Sequence, residues 1–107
     1  MAEILKGVRI LDLSQYIAGP YGTLLLGDLG AEIIKIENPE GGDLSRNIRQ
    51  YIHKGESAYY LSLNRNKKSV TINLRVKVGP GARIGNGATV KEDVPQNGIV
   101  RAGSTWP

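Results

Sequence analysis

Cationic side chains are concentrated in one stretch of the sequence, where their chemistry suits a phosphate-bearing ligand. Eight of the fourteen Lys and Arg residues lie between positions 46 and 77, against the single acidic residue Glu56. Several neighbouring cations can bind phosphates through charge-assisted hydrogen bonds, whereas a solvated charged surface needs no ligand. A phosphate site and an ordinary charged surface are therefore equal alternatives here. The candidate cations are those of the loop Asn64–Lys68 together with Arg46, Arg49 and Arg75.

Several other chemistries are excluded by residues that the sequence lacks. Without cysteine there is no disulfide, no thiolate metal site and no cysteine nucleophile. The single His53 excludes sites that need two histidines, so we expect no metal site and a solvent-facing histidine. No apolar run approaches the length of a membrane span, and the first residues lack the pattern of a secretory signal. We expect a cytoplasmic protein without a membrane partner.

Hydrophobic patterning over the first third of the sequence predicts an α/β fold, and 107 residues suffice for one domain. Val8–Ser14 is apolar and β-branched enough for a buried strand, and Ala31–Glu37 predicts a second. Between them the pattern predicts a helix over Tyr21–Leu29, with Pro20 in its first turn and Gly30 as a left-handed stop. These three elements predict a Rossmann-like βαβ unit with parallel strands.

Shorter elements are predicted after this unit. Asp43 is placed to cap a short helix that runs to about Gln50. Tyr59–Leu63 is predicted as a short strand and Ser69–Arg75 as a clearer one, with the polar loop Asn64–Lys68 between them.

A glycine-rich β segment follows from Val78, where Val78, Ile84 and Val90 are spaced six residues apart. This register is typical of hexapeptide β-helices, whose coils need stacked neighbours to bury their apolar edge. The segment is too short to stand alone. We therefore expect residues 76–107 to pack with residues 1–75 as one domain.

Five linked motifs lie between residues 4 and 75, and their order and spacing are more specific than any one of them. They are LKGVRILDL (5–13), AGP (18–20), LGAEIIKIE (29–37), GGD (41–43) and LNRNKKS (63–69). Together they resemble the class III CoA-transferases, the formyl-CoA and carnitinyl-CoA transferase family. The resemblance implies a Rossmann-like half whose CoA site lies on the loops after the strands.

The resemblance also implies which residues contact CoA or an acyl-CoA. By position, the CoA-binding residues are Ile17, Ala18, Asn38, Ile72, Asn73, Leu74 and Arg75. Asn38 departs from the family pattern, which often has an arginine near the adenine at this position. CoA enters as a ligand, and no cofactor is required.

The chemistry that the resemblance implies needs a residue outside the matched segment. The family transfers acyl groups through an aspartyl-CoA anhydride, so an aspartate acts as nucleophile. That aspartate lies downstream of the matched part, and Asp12, Asp28 and Asp43 do not correspond to it. Asp12 is expected to be structural and Asp43 a helix cap. We expect a truncated transferase-like protein with weak CoA affinity, no catalytic residue and no transferase activity.

The last segment carries a second resemblance. Residues 84–100, IGNGATVKEDVPQNGIV, are similar to the terminal coil of a hexapeptide-repeat acyltransferase, without its catalytic histidine. We therefore expect a scaffold rather than a second active site. The junction near residue 75 is compatible with a natural recombined reading frame or an engineered fusion, and both origins stay open.

Two further functions are compatible with the same residues. Apolar sheet faces and open strand edges predict a homo-oligomer, with exchanged segments as one route to it. A non-catalytic, self-associating protein without a specific ligand is the alternative function.

Weak nucleic-acid binding through residues 46–77 ranks third. Tyr51, Tyr59 and Tyr60 suit base stacking, but no recognised nucleic-acid-binding motif is present.

Overall fold

The computed structural model describes residues 3–73 and 75–107 and is organised around a five-stranded parallel sheet. Its strands, in their order across the sheet, are β1 (Arg9–Asp12), β2 (Glu32–Glu37), β5 (Lys67–Ile72), β7 (Thr89–Val90) and β9 (Thr105–Trp106). An antiparallel ladder joins β3 (Ile52–His53) to β4 (Glu56–Ser57), and a parallel one joins β6 (Arg83–Ile84) to β8 (Ile99–Val100).

The predicted parallel βαβ unit is present, with α1 (Ala18–Asp28) between β1 and β2. The helix begins earlier than predicted, so Pro20 lies within its first turn, and Gly30 follows it with φ +101°. The apolar side chains of this helix are not all buried: Leu24 is 2% exposed and Leu25 is 44% exposed. In the described residues neither helix is long and apolar enough to cross a bilayer.

Three predicted elements after this unit differ from the structure. The segment predicted as the strand Tyr59–Leu63 forms the helix α2 (Ala58–Leu63), because Ser57 caps it and the helix buries Tyr60. The helix predicted to run from Asp43 to about Gln50 is only a 3-10 turn over Leu44–Asn47, although Asp43 caps it through the Ser45 N–H at 2.8 Å.

The predicted basic loop Asn64–Lys68 is likewise shorter, because β5 begins at Lys67 rather than at Ser69. The two lysines lie on opposite faces of the new strand. Lys67 pairs with Asp12 of β1, two strands away, and Lys68 pairs with Glu32 of the adjacent β2. Partners on other strands of the sheet thus hold both lysines.

The glycine-rich tail winds into coils whose strands pair in parallel. Val78 bridges Val94, β6 pairs with β8 and β7 with β9, each at an offset of 16 residues. The predicted six-residue spacing holds within the first coil, but Val94 follows Val90 after only four residues. The predicted relationship of this tail to hexapeptide-repeat acyltransferases stays a prediction.

The coils extend the central sheet. Thr71 of β5 pairs with Thr89 of β7, and Ile72 packs against the buried core of the tail. That core consists of Ala88, Val90, Val94 and Val100. The division of the chain at residue 75 stays a prediction.

Glycines let successive coils approach closely, and this yields a stability prediction. A Cβ on Gly85 would lie 2.2 Å from the Ala102 backbone nitrogen, whereas a Cβ on Gly22 in α1 would meet nothing within 4 Å. We expect Gly85→Ala to lower the free energy of unfolding by about 1–3 kcal/mol through overpacking. Gly22→Ala should raise it by up to about 1 kcal/mol through helix propensity. Urea denaturation measures both, and an unchanged midpoint for Gly85→Ala would contradict this account of coil stacking.

Candidate functional site

Three neighbouring strands, β1, β2 and β5, end at one edge of the sheet, which we call the carboxyl edge. The loop after β1 carries Ile17 and leads into Ala18, the first residue of α1, and both are exposed. Asn38 follows β2 directly and is exposed, and Asn73 follows β5. In open α/β sheets ligands bind outside the carboxyl ends of the strands, so this edge is the candidate site.

A shallow cleft of about 410 Å³ at this edge brings three predicted residues together. Its lining comprises Asn38, Asn73 and Arg75 with Pro39 and Glu40. The Asn38 Oδ1 accepts a hydrogen bond from the Glu40 N–H at 2.9 Å, and the Asn73 Oδ1 accepts one from the Arg75 N–H at 3.2 Å. Each amide thus uses its oxygen internally and can direct its N–H donors towards a ligand.

The remaining predicted contacts lie elsewhere. Ile17 and Ala18 do not line this cleft, and Ile72 packs on the core of the tail. Leu74 lies outside the described residues.

Beneath the carboxyl edge, Asp12 and Lys67 form a buried ion pair with an Oδ2–Nζ distance of 3.0 Å. Their side chains are only 1% and 2% exposed. The Asp12 Oδ1 accepts from the Ser14 N–H and hydroxyl, and the Oδ2 also accepts from the Thr23 hydroxyl at 2.6 Å. Asp12 therefore has the structural role expected of it.

A second buried pair links β2 to the loop after it. The Lys35 Nζ lies 2.7 Å from the Asp43 Oδ2, and both side chains are at most 1% exposed. This Oδ2 has no well-aligned hydrogen bond, so its compensation is the charge of the ammonium. The Asp43 Oδ1 accepts from the N–H and hydroxyl of Ser45 and from the Tyr16 N–H.

A third cluster surrounds Glu37 at the end of β2. The Arg46 guanidinium donates to both carboxylate oxygens of Glu37 at 2.8 Å and lies over the ring of Tyr60, 3.8 Å from its centroid. The hydroxyl groups of Tyr60 and Ser69 also donate to Glu37. This bidentate pairing fixes Glu37, the residue directly before Asn38.

These pairs correct the predicted phosphate-binding rim. Lys67 is buried, and Arg46 is committed to Glu37. Lys68 pairs with Glu32 at 2.7 Å and Arg65 with Asp28 at 2.6 Å. Much of the basic segment is therefore paired within the fold, and in the part of the chain that the structure describes Arg75 is the cation that lines the cleft.

The buried acids are held ionised by their partners. Burial opposes the charge of Asp12, but hydrogen bonds from Ser14, Thr23 and Lys67 outweigh it and lower its pKa to about 2. Burial likewise opposes the charge of Glu37, while bonds from Arg46, Ser69 and the Asp43 N–H lower its pKa to about 2. Such carboxylates are poor nucleophiles because every oxygen already accepts hydrogen bonds.

Sequence reasoning missed Tyr16, Lys35 and Glu37 as parts of this edge. Two of them had a readable signal. Side chains alternate along a strand, so Lys35 and Glu37 share one face of β2 with buried Ile33. A charged residue on a buried face indicates a partner in the fold.

The family follows from the same residues. Residues 5–81 match the model of CoA-transferase family III, so the chain belongs to this family. The match extends beyond the junction predicted near residue 75.

Curated relatives agree with this assignment. Succinyl-CoA:glutarate CoA-transferase of Mus musculus is 54% identical over 71 residues, which are 66% of this chain and 16% of the relative. Succinyl-CoA--D-citramalate CoA-transferase of Chloroflexus aurantiacus is 42% identical over 96 residues, which are 90% of this chain and 22% of the relative. The second alignment thus continues into the tail.

Solved structures share the fold of the first segment. A mutant of the Rv3272 protein of Mycobacterium tuberculosis superposes with a TM-score of 0.60 at 46% identity, over 68% of this chain and 19% of that one. A CAIB/BAIF family protein from Brucella suis gives a TM-score of 0.61 at 37% identity, over 66% and 20%. The chain spans about a fifth of the length of these relatives.

The lowered pKa values of Asp12 and Glu37 predict acid lability. Both carboxyls have a lower pKa folded than unfolded, so each stabilises the fold above its ordinary pKa. Each contribution, about 2–4 kcal/mol, should be lost as pH falls from about 4.5 to 2. Thermal unfolding between pH 7 and 2 measures this loss. Asp12→Asn should flatten the profile, and a wild-type melting temperature that is constant down to pH 2 would contradict the prediction.

Proposed function

We propose that the carboxyl edge binds CoA or an acyl-CoA weakly. The observation that supports this most is the cleft lined by Asn38, Asn73 and Arg75, in a chain that belongs to CoA-transferase family III. The Arg75 guanidinium suits a phosphate, and the amide N–H groups of the two asparagines suit the adenine and ribose. Ile17 and Ala18 would flank the pantetheine arm.

The affinity should be low for reasons visible in the cleft. Among the described residues Arg75 is the one cation in its lining, and the carboxylate of Glu40 repels an anionic ligand. Asn38 offers no guanidinium to stack on an adenine. CoA carries several phosphate charges, and those that Arg75 does not contact would be compensated by solvent alone.

We propose further that these 107 residues do not transfer acyl groups by themselves. An aspartyl anhydride needs a carboxylate that can reach the thioester. Asp12 and Asp43 near the edge are buried and engaged by several donors. Glu40 lines the cleft, but in the described residues no general acid or base is positioned beside it.

The tail serves this proposal as scaffold. It extends the sheet beyond β5, and the Asn73 N–H donates to Val90 of the first coil at 2.9 Å. The tail thus fixes the end of β5 and the residues that line the cleft. Its origin as a recombined frame or a fusion stays a prediction.

Calorimetric titration tests the ligand proposal. We expect CoA to bind with a dissociation constant of about 1 mM. Arg75→Ala should raise this dissociation constant about tenfold, because it removes a charge-assisted contact. Arg101→Ala, at an exposed arginine of the second coil, should bind as wild type does. The curated relatives named above use succinyl-CoA, so succinyl-CoA is the second ligand. We expect no release of CoA from succinyl-CoA by the wild type or by either variant in the presence of glutarate.

Absence of heat at millimolar CoA would contradict this function and favour the alternative, a self-associating protein without a specific ligand. Turnover of succinyl-CoA by the wild-type chain would contradict the proposed lack of transfer.

We also propose that the chain forms a homodimer through the sheet face opposite α1. An apolar groove of about 600 Å³ lies there, lined by Leu11, Ile34, Ile36 and the first coil. Among the described residues the one acid of its rim, Glu32, already pairs with Arg9 and Lys68 of the same chain, so the apolar lining supports association rather than charge at the rim. An apolar surface of this kind is stabilised when a second copy covers it.

Light scattering after gel filtration tests the dimer. The wild type is expected at twice its mass of 11.6 kDa. Leu11→Glu should give a monomer, because Leu11 lines the groove and is already 61% exposed, so the fold tolerates the charge. Leu44→Glu, at a residue 60% exposed outside the groove, is the matched control and should remain dimeric. A compact wild-type monomer at micromolar concentration would contradict the proposal.

A further inference from the structure

The loop between β1 and α1 contains a residue in an unusual backbone conformation. Tyr16 has φ +74°, in the left-handed region that a residue with a bulky side chain rarely adopts. It stands directly before Ile17 and Ala18, at the point where the chain turns into the helix. Strain of this kind persists only where surrounding contacts enforce it.

The backbone of this loop is held on both sides of Gln15. The Lys35 ammonium donates to the Ser14 carbonyl oxygen at 2.9 Å. The Tyr16 N–H donates to the Asp43 Oδ1 at 3.1 Å. One contact thus comes from the middle of β2 and the other from the loop that follows β2.

The two groups that hold the loop are themselves fixed. Lys35 and Asp43 form a buried pair at 2.7 Å with side chains 1% and 0% exposed. The Ser45 N–H and hydroxyl each bind the Asp43 Oδ1 at 2.8 Å. A buried ion pair contributes little net stability by itself, and its best-supported use is to fix one arrangement of the elements it joins.

Contacts of the Tyr16 side chain add a third constraint. Its ring centroid lies 6.1 Å from that of Tyr59 in α2, with the rings tilted by 41°. The ring is half exposed, so the aromatic contact alone leaves the backbone freedom to relax. The hydrogen bonds that Lys35, Asp43 and Asp12 make to residues 14–16 therefore constrain the backbone at Tyr16.

We infer that Lys35 and Asp43 are positioning residues, a buried clamp that holds residues 14–16 in the conformation that presents Ile17 and Ala18 to CoA. This inference rests on the proposed function, because it assigns a purpose to the loop at the proposed site. The clamp touches no ligand itself. It acts through the backbone of the loop.

Amide hydrogen exchange on the intact chain tests the clamp without any ligand. The Tyr16 N–H should exchange at least about a hundredfold more slowly than an unstructured amide, although Tyr16 is half exposed, because Asp43 accepts its hydrogen bond. An unprotected Tyr16 amide in the wild type would overturn the inference.

The double variant Lys35→Met with Asp43→Ala tests the consequence. Removing both charges avoids an unpaired buried ion, and Ala removes the oxygen that accepts the Tyr16 N–H. In a double variant that melts near the wild-type temperature, we expect the Tyr16 amide to exchange at least about tenfold faster than in the wild type. We also expect this variant to bind CoA about tenfold more weakly. Lys6→Met with Glu3→Gln, which removes an exposed pair beside the end of α1 rather than its start, is the control and should change neither.

The outcomes separate the two proposals. Failure of the wild type to bind CoA would contradict the proposed function, while the exchange rates still decide whether the clamp exists. Wild-type exchange and wild-type CoA affinity in the folded double variant would overturn the clamp. If the double variant does not fold, the protection of Tyr16 in the wild type remains the deciding measurement.

Discussion

The fold depends most on the ammonium of Lys67, which joins four elements below the carboxyl edge. Its three N–H groups bind Asp12 of β1 at 3.0 Å, the Pro20 carbonyl of α1 at 2.9 Å and the Asn64 side chain after α2 at 2.9 Å. A cation that is 2% exposed is tolerated only when its donors are all paired. The spacing of β1, α1, α2 and β5 is therefore set by the reach of one side chain.

The two faces of the sheet are built on different physical principles. On the α1 side, Lys35 and Glu37 of β2 bind groups that come from the following loop and from the 3-10 turn. On the opposite side, Ile34 and Ile36 line an apolar groove. Directional charged contacts place the loops of the carboxyl edge accurately, whereas apolar surface is non-directional and suits association. One strand thus supports both the candidate site and the proposed dimer contact.

The tail joins this sheet by a third principle, the close stacking of backbone. Gly79 and Gly85 lie so near the next coil that a Cβ would fall within 2.5 Å of its backbone nitrogens. Gly81 and Asn97, 16 residues apart, both have left-handed φ values, so the turns of successive coils repeat the same shape. The aliphatic core inside the coils continues onto Ile72 of β5. The cleft residues after β5 are consequently held by the tail as well as by the sheet.

The sequence by itself determined the features that depend on near neighbours along the chain. The βαβ unit, Pro20 in the first turn, the Gly30 stop and the Asp43 cap all follow from patterns a few residues long. Linked motifs determined the family. The tertiary structure alone decided that Lys67 and Arg46 serve the fold, because their partners Asp12 and Glu37 are 55 and 9 residues away. It also decided that residues 59–63 are helical, since this conformation buries Tyr60 against Glu37, 23 residues away. A cation carries no local mark of its distant partner, so its burial is settled only when the strands meet.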